Sequence, residues 1–176
     1  MGRHLAYTAF DYDLRWVALE ELQSQRPVDG EIEATIVITS LDPTLCLKTT
    51  IYLPEKAPQY LIDHEHGHKR IAEKIYETAE VHALRLSEAK IEKTFTGKEK
   101  TLGPARKAAL NAAGDELLAE YLVAVRDEAQ RVQDIYDKLT EHGQSSRFKE
   151  EEAIRLAFEA REKEKAAPVK KPGRSK

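Results

Sequence analysis

The chain has 176 residues, 41% of them hydrophobic and 34% charged, with a formal net charge of -3 and a single cysteine. That length and composition suit one globular domain with a sizeable core, and they exclude an internal disulfide and a basic footprint for nucleic acid. No apolar run nears 18 residues and residues 1–10 lack a secretory hydrophobic stretch, so a chain without membrane contact is expected, either cytoplasmic or lacking its leader.

In chain order, His4, Ala6, Thr8, Phe10 and Tyr12 alternate with Leu5, Tyr7, Ala9 and Asp11, a weak strand pattern to about residue 12. Asp13 then reads as the N-cap of a short helix carrying Leu14, Val17, Ala18, Glu21 and Leu22, which residues 27–30 stop. Trp16 reads as a core residue. Over 31–39, Ile32, Ala34, Ile36 and Ile38 separate from Glu31, Glu33, Thr35 and Val37, as in a half-buried strand. After a turn-rich break at 40–44, Leu45, Leu47, Thr49, Ile51 and Leu53 restore the pattern, which predicts an antiparallel hairpin of these two strands.

Pro58 can open a helix at its first turn, and helical spacing then continues to about residue 95. Within it His64, Glu65, His66, Gly67 and His68 spell H-E-x-x-H. At about 100° per residue, His64 and His68 lie within roughly 40° of each other and one turn apart, so both imidazoles can reach one ion with Glu65 beside them. Two His ligands to Zn²⁺ and a Glu as general base are the parts of a metalloprotease helix. Leu61, Ile71, Ala72, Ile75, Ala79 and Leu86 share the histidine face, which turns the imidazoles inward. Gly67, costly in a helix interior, implies the close approach of another backbone. His66 should face solvent, and His82 is too far along the axis to share the ion.

Residues 96–103 read as a connection, followed by a second helix from Pro104 to about Leu139 with Leu110, Leu117, Leu118, Tyr121, Leu122, Val125, Val132, Tyr136 and Leu139 on a nearly heptad stripe. The two long helices should pair antiparallel. Folding about residues 99 and 100 sets residue n opposite roughly 199 minus n, so His64 and His68 face about 131–135, to within about one turn. Glu116 and Glu120 fall too far along the axis, and Glu73 is rotated about 140° away. The remaining candidates for a third ligand are Glu128, Asp134, Asp137 and His142. His142, next to the helix-terminating Gly143, stands slightly ahead of Asp137. Residues 148–162 carry Phe148, Ile154, Ala157 and Phe158 on one more amphipathic helix, which completes a domain over 1–162, and 163–176 form a basic tail expected to be disordered.

Over roughly residues 10–144 the chain resembles a bacterial domain-of-unknown-function family of inferred zinc-dependent proteases whose helix reads H-E-x-G-H. The shared features are Asp11-Tyr12-Asp13 with Leu22, Val28-Asp29-Gly30, Ala34-Thr35, Cys46, Leu53-Pro54, His64-Glu65-His66-Gly67-His68 with Ile71-Ala72, Tyr136-Asp137, Thr140 and His142-Gly143. The resemblance implies a zincin-like α+β fold, a small antiparallel sheet on a long helical hairpin, and peptidase activity with His142 as third ligand beside His64 and His68. The chain departs from the family in lacking a leader, a second cysteine, and the tryptophan of the first hairpin strand, where Ile36 and Ile38 stand. The expected activity is hydrolysis of a peptide or protein substrate, with Zn²⁺ as cofactor, Glu65 as general base and Tyr136 as a candidate oxyanion donor. Asp63 or Asp137 could orient a ligand histidine. The rival expectation is a helical-hairpin interaction module with no catalysis, whose metal, if bound, only fastens the helices together.

Overall fold

A computed structural model describes residues 6–145 and 147–167. The architecture is α+β, with a three-stranded antiparallel sheet in the order β1-β2-β3 and five helices among the described residues. The strands are β1 (Tyr7–Val28), β2 (Glu31–Tyr52) and β3 (Thr94–Glu99); the helices are α1 (Gln59–Tyr76), α2 (Ala79–Glu88), α3 (Leu102–Ala124), α4 (Arg126–Thr140) and α5 (Glu150–Ala166). Among the described residues no helix is long and apolar enough to cross a membrane.

The first correction concerns residues 14–22, which continue β1 instead of forming a short helix. Tyr12 and Leu14 are buried and Trp16, Ala18 and Glu20 half-buried, while Arg15, Val17, Leu19 and Glu21 are exposed, so a period of two organises the segment. Asp29 and Gly30, at φ 54° and 80°, then reverse the chain between β1 and β2. Two consecutive left-handed residues suit a tight two-residue hairpin, and Asp-Gly is the pair best able to adopt them.

The second correction removes the hairpin expected between 31–39 and 45–53, because both segments lie on one strand, β2. Its buried side changes parity across the expected turn: Ala34, Ile36 and Ile38 are buried, then Leu41, with alternate residues from Pro43 half-buried. β3 pairs with β2 from Ile32↔Glu99 to Val37↔Thr94. Pro43, which has no N–H to give, thus falls beyond the reach of β3.

The two long helices are likewise interrupted. The first gives way at Glu77 and Thr78 to α2, and the first half of the expected connection at 96–103 belongs to β3. The second begins at Leu102 and breaks at Val125 into α3 and α4, so the architecture is not one long helical hairpin. Lys163 and Lys165 belong to α5; the tail from residue 168 lies outside the described residues.

The chain forms two compact units, each assembled from separate stretches. In the unit of Phe10–Thr50 and Ala72–Glu128, α3 packs on β3 and α2. Its buried row is Ala105, Ala109, Ala113, Leu117 and Tyr121, which keeps Leu117 and Tyr121 of the stripe expected from sequence but leaves Leu110, Leu118 and Leu122 half-buried. Small side chains win this face because Gly97 of β3 presses against the backbone of Ala105 and Ala109, and Trp16 occupies the space above Gly114. Burial pushes the Tyr121 phenol up to about 12. Lys90, 1% exposed, pairs with Glu116 and with Glu120 at 2.9 Å, which accounts for the two glutamates set aside as metal ligands. The Lys90 hydrogen bond holds the Glu116 carboxyl below its ordinary value.

The other unit comprises Met1–Ala9, Ile51–Ile71 and Ala129–Lys176. It buries His64, Glu65, His68, Ile71, Val132, Tyr136, Thr140, Ile154 and Ala157. A core this rich in titratable groups is costly unless they partner one another or a cation.

Candidate metal centre

His64, Glu65 and His68 lie in α1, which starts where Pro58 gives its carbonyl to the amides of Leu61 and Ile62. The i, i+4 spacing stacks the two imidazoles edge to face, 4.6 Å between centroids, with their Nε2 atoms 3.2 Å apart. Asp137, from α4, completes the group: its Oδ1 lies 3.2 Å from His64 Nε2 and 3.0 Å from His68 Nε2. These three residues are the donor cluster among the described residues that could hold a metal ion.

The geometry fits zinc. Bonds of 2.0–2.1 Å at tetrahedral angles put ligand atoms roughly 3.3–3.4 Å apart. The observed 3.0–3.2 Å is close to that spacing. The tautomer of His64 points the same way. Thr140 Oγ1 donates its proton to the Tyr136 carbonyl at 2.8 Å, so at 3.3 Å it can only accept from His64 Nδ1. A neutral His64 then bears its lone pair on Nε2, facing Asp137. Asp137 Oδ1 is buried and accepts no hydrogen bond, although two ring nitrogens stand beside it. The lone pair of His64 Nε2 and the Asp137 carboxylate, 3.2 Å apart, repel each other unless a cation lies between them.

Tyr136 is 1% exposed; its ring stacks on His64 at 5.2 Å and 10° and meets His68 edge-on at 5.2 Å. Its hydroxyl sits over Gly67, where a methyl group would overlap it. The expected close approach at Gly67 is therefore real, but a side chain makes it and not a backbone. Burial raises the Tyr136 phenol above its ordinary value.

His142 does not join the donor cluster. Its side chain is 75% exposed, and Nδ1 lies 3.6 Å from Asp137 Oδ2, the oxygen turned away from the imidazoles. Glu141, His142 and Gly143 have φ of 50°, 55° and 79°, a left-handed turn in which the His142 amide donates to the Asp137 carbonyl at 3.0 Å. Gly143 is needed there twice over, for its φ and because a methyl group would press on the His64 side chain. The helix register explains the change of ligand: His64 and His68 face residues 136–140 of α4, about one turn beyond the centre of the expected 131–135. Glu128 and Asp134 are outside the cluster, His66 is exposed, and Asp63 accepts from Gln59 at 2.7 Å.

Glu65 is buried, and its Oε2 accepts a 2.7 Å hydrogen bond from Thr8 Oγ1. A cleft of about 310 Å³ opens against His64, lined also by Tyr60, Tyr136, Thr140, Phe148 and Lys149. No family model, no curated protein and no solved structure matches the chain.

Proposed function

We propose that the protein is a zinc-dependent hydrolase acting on peptide bonds, with His64, His68 and Asp137 as the protein ligands and Glu65 as general base. The observation that carries this reading is the convergence of three buried donor atoms to within 3.0–3.2 Å of one another, next to a cleft. When bound, zinc supplies Lewis acidity that lowers the pKa of a water toward 7 and polarises a carbonyl. Glu65 takes a proton from the attacking water as oxygen bonds to the carbonyl carbon, and passes it to the amide nitrogen as the C–N bond breaks. Tyr136 holds both imidazoles by its ring, and Thr140 keeps His64 in the tautomer that binds metal. The cleft reaches the centre at His64, and a metal that only fastens helices needs a fourth protein ligand, which the three-residue cluster does not offer.

Metal analysis after zinc-supplemented, chelator-free purification should give about one zinc per chain. Stoichiometry near zero overturns the reading. Iron in its place would too, since two histidines and one carboxylate are also the donor set of non-haem iron centres. Glu65→Gln should keep the metal and lose roughly 10²- to 10⁴-fold in turnover on a peptide library. Equal turnover in mutant and wild type would leave the metal a structural role. Thr140→Val removes the acceptor for His64 Nδ1 and should weaken zinc binding about 10- to 100-fold by chelator competition, with Thr140→Ser close to wild type.

A further inference from the structure

The geometry points to Thr8 as a positioning residue for Glu65, an inference that rests on the hydrolase reading of Glu65 given above. Thr8 is the second residue of β1, 57 positions before the carboxylate it touches. Its neighbour Tyr7 stacks on Tyr52 at 4.5 Å and 18°, both rings largely exposed, so this end of the strand is pinned from outside. Alternation along the strand then turns Thr8 to the opposite, half-buried side.

Thr8 Oγ1 lies 2.7 Å from Glu65 Oε2 and 3.1 Å from the Glu65 carbonyl oxygen. A hydroxyl has one proton to give, and the anionic, nearer carboxylate oxygen takes it. Thr8 thus gives this buried carboxylate a hydrogen bond from a different element of the fold. A glutamate has three rotatable bonds, and a general base must present one oxygen to water in one orientation. Tying Oε2 to the strand leaves Oε1 as the oxygen that accepts the proton from water and returns it to the amine. The Thr8 proton stays on its own oxygen throughout.

Thr8→Val keeps the shape and removes the proton; Thr8→Ser keeps the proton. With zinc loaded, Thr8→Val should lower kcat about tenfold on a peptide the wild type cleaves, with KM and zinc content within about twofold. Thr8→Ser should restore kcat to within about threefold. Affinity for acetohydroxamate, whose bound form also uses the glutamate, should fall in Thr8→Val and recover in Thr8→Ser. The same substitutions are made in the Glu65→Gln background, where Thr8→Val should cost nothing further in turnover. Thermal unfolding of zinc-free wild type, Thr8→Val, Glu65→Leu and their double variant reads the Thr8–Glu65 coupling with no reference to activity, leucine being used because a glutamine would still accept the Thr8 proton. Thr8→Val behaving as wild type in kcat and hydroxamate affinity overturns the proposal, as does an equal loss in both backgrounds. A wild type without zinc or turnover overturns the hydrolase reading and Thr8's part in it. The zinc-free cycle still tells that failure from a missing hydrogen bond.

Discussion

Replacing Asp137 by alanine should weaken zinc binding by roughly 10²- to 10³-fold, while His142→Ala should change it by less than about threefold. Structural zinc sites with four ligands bind with about 10–16 kcal/mol, so one ligand is worth about 3–4 kcal/mol. Asp137 earns that share by position: one of its oxygens stands 3.0 and 3.2 Å from the two ring nitrogens, buried and without a hydrogen bond. His142 is exposed, on a turn outside the helices, and its Nδ1 lies 3.6 Å from the other Asp137 oxygen. Competition with a chromophoric chelator gives both affinities. The reverse order, a large loss for His142→Ala and little for Asp137→Ala, would return the third position to the histidine that the family resemblance implies.

Gly97→Ala should destabilise the protein by about 3 kcal/mol or more, seen as a lower denaturant midpoint at unchanged slope. Gly97 pairs with Ala34, which is completely buried, and an added methyl group would overlap the Ala105 carbonyl oxygen and the Ala109 amide of α3. Backbone atoms in a helix cannot rotate aside as a side chain can, so strand and helix must separate. Gly103→Ala is the control. Nothing lies within 4 Å of the new methyl group, and helix propensity favours alanine by up to about 1 kcal/mol. Equal midpoints for the two variants would contradict the contact between β3 and α3.

Local spacing made the centre half-visible in the sequence. His64 and His68 are four residues apart, and any helix through them aligns their rings, so the pair is legible without a tertiary structure. Asp137 is different: its place depends on the register of α4 against α1, and a breakage at Val125 or an inserted strand shifts that register by a turn. It was within reach as one of four candidates, and only the third dimension ranks it. The same holds for residues 14–22. Leu14, Val17, Ala18 and Leu22 satisfy a helical period while Tyr12, Leu14, Trp16 and Ala18 satisfy a strand period, and burial against α3 decides between them. Two local signals went unused. Asp29-Gly30 between apolar runs is a strong hairpin marker, and Thr94-Phe95-Thr96 has the composition of a strand. The parity change across Ser40 and Leu41 could not be read as continuous strand, because Asp42-Pro43-Thr44 has turn chemistry and only long-range pairing with β1 overrides it.

Pro43 has a consequence for how the molecules behave in one another's company. Among the described residues the pairing of the second strand with the third ends at Val37 and Ile38, and an unpaired strand edge is the place where a stranger's strand can lie down alongside. A ring nitrogen without hydrogen stands beyond that point, with the charges of Asp42 and Lys48 on either side of it. A proline at that place denies an incoming strand one amide donor and so weakens templated growth along the ribbon.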